Sequence, residues 1–134
     1  MDNVLIDTSV WINFFGGKDQ KIIRAVQELL SRDQVVICPP IFQEILQGLK
    51  YPKEFLEIKD KLKALKQIHV DPFEAAEGAA HIYSVLRSQG ITIRKSYDCL
   101  IVWYAINTNA TLFHLDRDFI PISKNFKLRC FQYG

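Results

Sequence analysis

Long apolar runs are missing from this chain. The longest, Cys99–Ile106, covers eight residues, far short of the roughly 20 needed to cross a bilayer. No basic stretch followed by an apolar one stands near residue 1, so a secretory leader is not expected and the cytoplasm is the expected location. Cysteine is sparse. Cys38, Cys99 and Cys130 are odd in number, widely spaced and set among apolar residues, which reads as reduced, packed thiols and excludes a disulfide frame. Low-complexity tracts and internal repeats are absent too. Charge of one sign is scarce: 17 Lys and Arg stand against 15 Asp and Glu, a net +2. That mildly basic balance permits nucleic acid as a partner without demanding it.

What is present is ordinary globular material. The 134 residues are 49% hydrophobic and 24% charged, enough for one domain, residues 1–134, with a real core. Short continuous apolar runs at 4–6 and 35–38 read as strands buried on both faces. Further strands are expected at 68–70, 111–115 and 127–131. Between them lie helical patterns. Asp7, Thr8 and Ser9 are helix-start residues before Val10-Trp11-Ile12, and Gly16-Gly17 stops that helix. Ile22, Ile23, Val26, Leu29 and Leu30 repeat at helical spacing. Pro39-Pro40 opens a helix striped by Ile41, Phe42, Ile45, Leu46 and Leu49. Pro52 opens another to about Lys66, Pro72 one to about Gln89, and Ser96 caps one to about Asn107. Asp116 starts a short helical turn. Strands alternating with helices predict an α/β three-layer sandwich, a mostly parallel sheet of about five strands flanked by helices. Ligands of such sheets bind beyond the carboxyl ends of the strands.

Four carboxylates fall where that crevice would be. Asp7 follows the first strand and Asp116 follows the strand "TLFHL". Asp98 lies in the first turn of "SYDCLIVWYAIN", apolar almost all round and therefore buried; Glu44 lies among core-like residues in "ICPPIFQEILQGL". Singly, each has an ordinary reading as a cap, a dipole complement or a solvated acid. Together they repel and lose hydration, so a fold that gathers them needs a cation. Oxygen-only ligands suit Mg²⁺ or Mn²⁺, and the lack of a His/Cys cluster argues against zinc.

Four ordered blocks, "LIDTSVWI", "PPIFQEILQG", "SYDCLIVWYAI" and "HLDRDF", resemble the PIN-domain family, most closely its VapC-type toxin ribonucleases of toxin–antitoxin pairs. The resemblance covers essentially the whole chain. It implies metal-binding acids at Asp7, Glu44, Asp98 and Asp116, with Asp118 accessory, Phe119 as a packing residue, Gly48 in the family's glycine place, and Thr8 or Ser9 supporting the first acid. It implies divalent-metal hydrolysis of RNA phosphodiesters, with one or two ions, two being about 3.5–4 Å apart. Asp7 would lie between the ions, Asp98 and Asp116 on one side and Glu44 on the other. It further implies a homodimer and an antitoxin whose segment covers the site, where an arginine could pair with the acids.

Other residues are read from position. Arg94, Lys95 and Arg117 lie near the expected mouth and are candidates for RNA phosphate. The run from Lys59 to Lys66 reads as a solvated helix face, Trp11, Phe14 and Phe15 as core or dimer contacts, and His114 as a structural group. Two rivals stay open. An aspartate-nucleophile phosphatase or phosphotransferase would use Asp7, although haloacid-dehalogenase-like enzymes have D-x-D-x-T here and residue 9 is Ser. A non-catalytic RNA-binding module would use the acids merely as caps.

Overall fold

The computed structural model describes residues 2–134. Four parallel strands form its sheet, in the order β3-β2-β1-β4: β1 Val4–Ile6, β2 Val35–Ile37, β3 Lys66–Gln67 and β4 Thr111–Phe113. Every side chain of β1 and β2 is buried. Successive strand side chains point to opposite faces, so both faces are covered, as a parallel sheet requires. The helices are α1 Thr8–Gly16, α2 Gln20–Ser31, α3 Pro39–Gln47, α4 Pro52–Lys63, α5 Pro72–Ser88, α6 Ser96–Asn107 and α7 Phe119–Asn125.

The local causes are visible at each end. Asp7 caps α1, Asp19 caps α2 and Asp71 caps α5, each accepting from a backbone N–H two residues on. Gly17 ends α1 in the left-handed region, φ 67°, where a side chain would be strained. Proline opens α3, α4 and α5 at positions that need no N–H. Helix α6 starts at the expected Ser96, but Lys95 occupies the N-cap position and no side chain caps it. What fixes α6 is burial: Cys99, Ile101, Val102 and Ala105 lie inside. Gly78 lets α5 press onto it, because a Cβ there would fall within the Trp103 indole.

Two strands differ from expectation. The edge strand β3 lies at Lys66–Gln67, not at 68–70, and both its residues are exposed. A polar edge leaves no trace in an apolar pattern; Ile68 adds one bond, its N–H donating to the Ile37 carbonyl at 2.9 Å. The expected fifth strand shrinks to a single parallel bridge between Leu112 and Cys130. Phe131 there packs on Phe113, 4.7 Å between ring centres, while the Arg129 side chain turns away to Asn109 and Asp2. The turn expected at Asp116 develops three residues later into α7, whose Pro121 is tolerated in the first turn.

Candidate active site

The end of β1 passes straight into the site. The Asp7 N–H donates to the Phe113 carbonyl at 2.9 Å, continuing the β1–β4 pairing, and the chain then turns into α1. The Asp7 side chain is 5% exposed. Its Oδ2 accepts from the Ser9 N–H at 3.1 Å and the Ser9 hydroxyl at 2.6 Å. Ser9 Oγ in turn accepts from the Leu115 N–H at 3.1 Å, tying the exits of β1 and β4 together. Thr8 turns elsewhere. Its hydroxyl donates to Glu44 Oε1 at 2.9 Å, fastening α3 to the start of α1. Of the two hydroxyls expected beside the first acid, Ser9 serves Asp7 and Thr8 serves Glu44.

Asp98 enters from the first turn of α6 and is 4% exposed. Its N–H donates to the Lys95 carbonyl at 3.0 Å, which fixes the turn. Its Oδ2 is buried and has no hydrogen-bond partner among the described residues. Burial, with Asp7, Asp116 and Asp118 adding repulsion and Lys95 opposing, pushes its carboxyl up to about 7.

Asp116 and Asp118 arrive on the loop after β4. The Asp118 N–H donates to Asp116 Oδ1 at 2.9 Å, so the loop folds back on its own acid. Lys95 Nζ lies 2.9 Å from Asp116 Oδ2, and Arg94 Nη2 lies 3.0 and 3.1 Å from the two Asp118 oxygens. Burial alone lifts the Asp116 carboxyl, but Lys95, the Asp118 N–H and Arg94 outweigh it and hold it below the usual range.

Asp98, Asp116 and Asp118 each offer a carboxylate oxygen within 4.8 Å of the others. Asp118, expected as accessory, is thus a full member of this group. Asp7 and Glu44 lie outside it; Asp7 is nonetheless close enough for its charge to act on Asp98, Lys95 and His114. Glu44 joins through Thr8. The donor set is all carboxylate, and one buried oxygen lacks any partner. Both features suit a hard divalent cation, which takes oxygen ligands and supplies the missing counter-charge.

The remaining expected residues sort by contact. Arg94 and Lys95 face the acids. Arg117 is exposed and lines a shallow cleft of about 420 Å³ with Thr92, Ile93, Arg94, Asp118 and Pro121. His114 Nδ1 accepts from the Asp116 N–H at 3.3 Å, and its ring lies 4.8 Å from that of Phe119. Burial lowers its pKa, against the opposing pull of Asp7 and Asp116. Trp11 is buried and stacks on Phe15 at 5.6 Å, a packing contact. Lys66 is held by Asp33. Two rim residues went unmarked in the sequence: the Tyr97 hydroxyl donates to Gln43 Oε1 at 3.2 Å, joining α6 to α3 one residue before Asp98 and Glu44 respectively. Cys38, at the N-cap of α3, is a packed thiol as expected; burial, with Asp7 and Glu44 adding to it, pushes it up to about 12. A more spacious cleft, about 640 Å³, lies elsewhere, between α2 and residues 131–134. Its acids Asp2 and Glu28 are separately paired with Arg129 and Arg32, so no group of carboxylates gathers there.

Comparison with known proteins places these features in context. The PIN domain family model matches residues 4–125. A VapC ribonuclease of Mycobacterium bovis is 33% identical over 123 residues, covering 90% of this chain and 92% of its own. Ribonuclease VapC11 of Mycobacterium tuberculosis matches to the same extent. Among solved structures, VapBC2 from Rickettsia felis, bound to a DNA fragment from their promoter, superposes with a TM-score of 0.77 at 18% identity, covering 98% of both chains. VapBC-1 from nontypeable Haemophilus influenzae gives 0.74 at 19% identity over 95% of both. At those identities the structural likeness speaks for the fold.

Proposed function

The chain belongs to the PIN-domain family, and from that premise we propose that it is a divalent-metal-dependent endoribonuclease, the toxin of a VapC-type toxin–antitoxin pair. The observation that carries this reading is the buried, partnerless Asp98 oxygen inside a group of three carboxylates. The ribonuclease relatives at 33% identity support it.

Asp98, Asp116, Asp118 and Asp7 would hold Mg²⁺ or Mn²⁺, with Glu44 reaching the same bowl through its bond to Thr8. A bound ion supplies an activated water and neutralises charge building on the phosphate. The chain's own work is positional. Ser9 holds one Asp7 oxygen and leaves the other for ligation. Asp98, raised to about 7, must shed its proton before it can ligate. In hydrolysis water adds to phosphorus and the bond to the leaving ribose oxygen breaks. Arg117, on the rim, is placed to meet a neighbouring phosphate. Asp7 does cap α1, as the binding-module reading requires, but Asp98 caps nothing and is left orphaned; simple capping does not account for it.

Residues 1–134 act as one domain in this proposal. The partners are RNA, a cognate antitoxin whose basic segment covers the acids, and a second copy of the chain. Among the described residues no helix is long and apolar enough to cross a membrane, and the proposed compartment is the cytoplasm. The test is incubation of the purified protein with total RNA, with Mg²⁺ or Mn²⁺ and with chelator, followed by mapping of new ends. Discrete ends in metal that vanish in chelator are expected. Metal-dependent turnover of a small phosphate ester with intact RNA would instead establish the phosphotransferase reading.

A further inference from the structure

Arg94 and Lys95 stand in the irregular stretch between α5 and α6. Their side chains turn onto the acids although both are largely exposed. This matters for which carboxylate oxygens are available. Asp116 Oδ2 is covered by the Lys95 ammonium and its Oδ1 by the Asp118 N–H. Both Asp118 oxygens are covered by one Arg94 nitrogen. Within the group of three acids, Asp98 alone has oxygens that no donor among the described residues engages, and its Oδ2 is buried as well. A hard dication binds through ionised carboxylate oxygens, and here a cation drawn to Asp116 or Asp118 meets the Lys95 ammonium or the Arg94 guanidinium already in contact with them.

We propose that Lys95 and Arg94 are built-in counter-ions of the acidic bowl, and that a divalent ion loads by exchange, taking Asp116 and Asp118 from them. This rests on the proposed reading of these acids as metal ligands. The geometry favours exchange by side-chain rotation alone. The Lys95 carbonyl is fixed by the Asp98 N–H at 3.0 Å, so the backbone stays while the side chains swing. Both pairs are wet on the cation side, Lys95 being 52% and Arg94 77% exposed; such pairs are weakly held and screened. The acids they cover are only about 20% exposed, so without a cation these carboxylates would repel one another in poor solvent. The displaced cations then stand at the rim, available to an RNA phosphate once metal is in place.

An exchange and a brace predict opposite signs. If Lys95 merely holds Asp116 in shape, its removal weakens metal binding. If it competes, Lys95→Gln tightens it. Mn²⁺ titrated into wild type, Lys95→Gln and Arg117→Gln, read by calorimetry without RNA, separates these. Arg117→Gln removes the same charge from a neighbouring exposed residue that makes no ion pair among the described residues, so it measures the through-space effect. Lys95→Gln is expected to tighten Mn²⁺ by about tenfold, a difference of 1.4 kcal/mol, and Arg117→Gln by no more than about threefold. In wild type, the ¹⁵N signal of Lys95 Nζ is expected to move to that of a solvated lysine on saturation with Mg²⁺, a readout that survives should the variant not fold. Equal or weaker Mn²⁺ binding by Lys95→Gln, or an unmoved Lys95 signal, overturns the exchange while leaving the proposed nuclease intact. Absence of metal binding in wild type and variant alike overturns both.

Discussion

The two ends of one sheet both carry acid–base pairs, and the pairs have opposite meaning. At the amino ends, Asp2 meets Arg129 at 2.6 Å and Asp33 meets Lys66 at 3.6 Å. Those acids are 58% and 85% exposed, each with its own cation. Asp33 is explained locally as well, since it turns the chain after α2 at φ 55°. At the carboxyl ends, Asp116 and Asp118 are about 20% exposed and share their neighbourhood with Asp98, which is 4% exposed and lacks a partner for one oxygen. Ion pairing does not distinguish the ends. Withdrawal from water, mutual proximity and an unfilled lone pair do, because each costs free energy that a cation, or a proton on Asp98, returns.

The largest way to break this contrast is Asp98→Asn against Asp2→Asn. Removing a ligand of the proposed ion would forfeit several kcal/mol of charge stabilisation, so cleavage should fall at least about a hundredfold. Asp2→Asn should leave the rate within about twofold, because an exposed pair is worth little. In the metal-free protein Asp98→Asn should melt several degrees higher at pH 8, since it removes a buried, repelled charge. Equal cleavage by both variants, measured on one RNA, would erase the distinction between the ends.

The pH dependence sharpens it. Asp98 titrates near 7 when folded and near its ordinary 3.8 when unfolded. The folded state therefore binds the extra proton between those values, and stability falls as pH rises through about 7. His114, lowered by burial, and Asp116, also lowered, act in the opposite sense and lose stability as pH falls. The Asp98 contribution is thus the difference between wild-type and Asp98→Asn melting across pH 5 to 8. It should grow with pH without metal and shrink when Mn²⁺ is added. Mn²⁺ affinity should rise by up to about tenfold per pH unit below 7 and level off above it, one proton leaving for each ion bound. Asp2→Asn should keep the wild-type profile; a matching change there would show that the slope is not the bowl's.

A smaller effect tests the links between elements. Thr8→Val keeps the shape but removes the donor to Glu44. Orienting partners of ligands typically matter by about 10- to 100-fold in metal affinity or activity, and the lower end is expected here because Glu44 stands outside the tight group. An unchanged rate would detach Glu44 from the chemistry.

These differences also mark what could be read in the sequence. The acids were legible because each interrupts or follows an apolar run, and α6 was legible at both ends because its apolar body admits no other state. Edge strand β3 was not, since Lys66 and Gln67 face water and join the sheet through their backbones. The fifth strand shortens to the backbone bonds that Arg129 and Phe131 make with Leu112, and how far a terminal segment pairs with β4 is not written in its apolar pattern. The separate partners of Thr8 and Ser9 were hidden, as both hydroxyls suit a helix start and only the fold puts α3 beside one and β4 beside the other. Arg94 and Lys95 were placed at the mouth from their distance to Asp98 along the chain. Their engagement with Asp118 and Asp116, 24 and 21 residues on, is tertiary information.

The smallest expected effect belongs to the amino end itself. A double-mutant cycle of Asp2→Asn and Arg129→Gln should give a coupling of about 0–1 kcal/mol, fading with salt, because the charges are exposed. Arg129→Gln alone should cost more than Asp2→Asn alone. The guanidinium also donates to the Asn109 carbonyl at 2.7 Å and to its side-chain oxygen at 3.0 Å, and a Gln is too short to replace all three bonds. Asn109 sits at φ 55° just before β4, so loosening it should be felt as earlier opening of that strand, read as faster amide exchange at Leu112. If the cycle instead returned several kcal/mol, the amino-end pair would be as shielded from water as the carboxyl-end acids. Exposure would then have failed as the criterion separating the two.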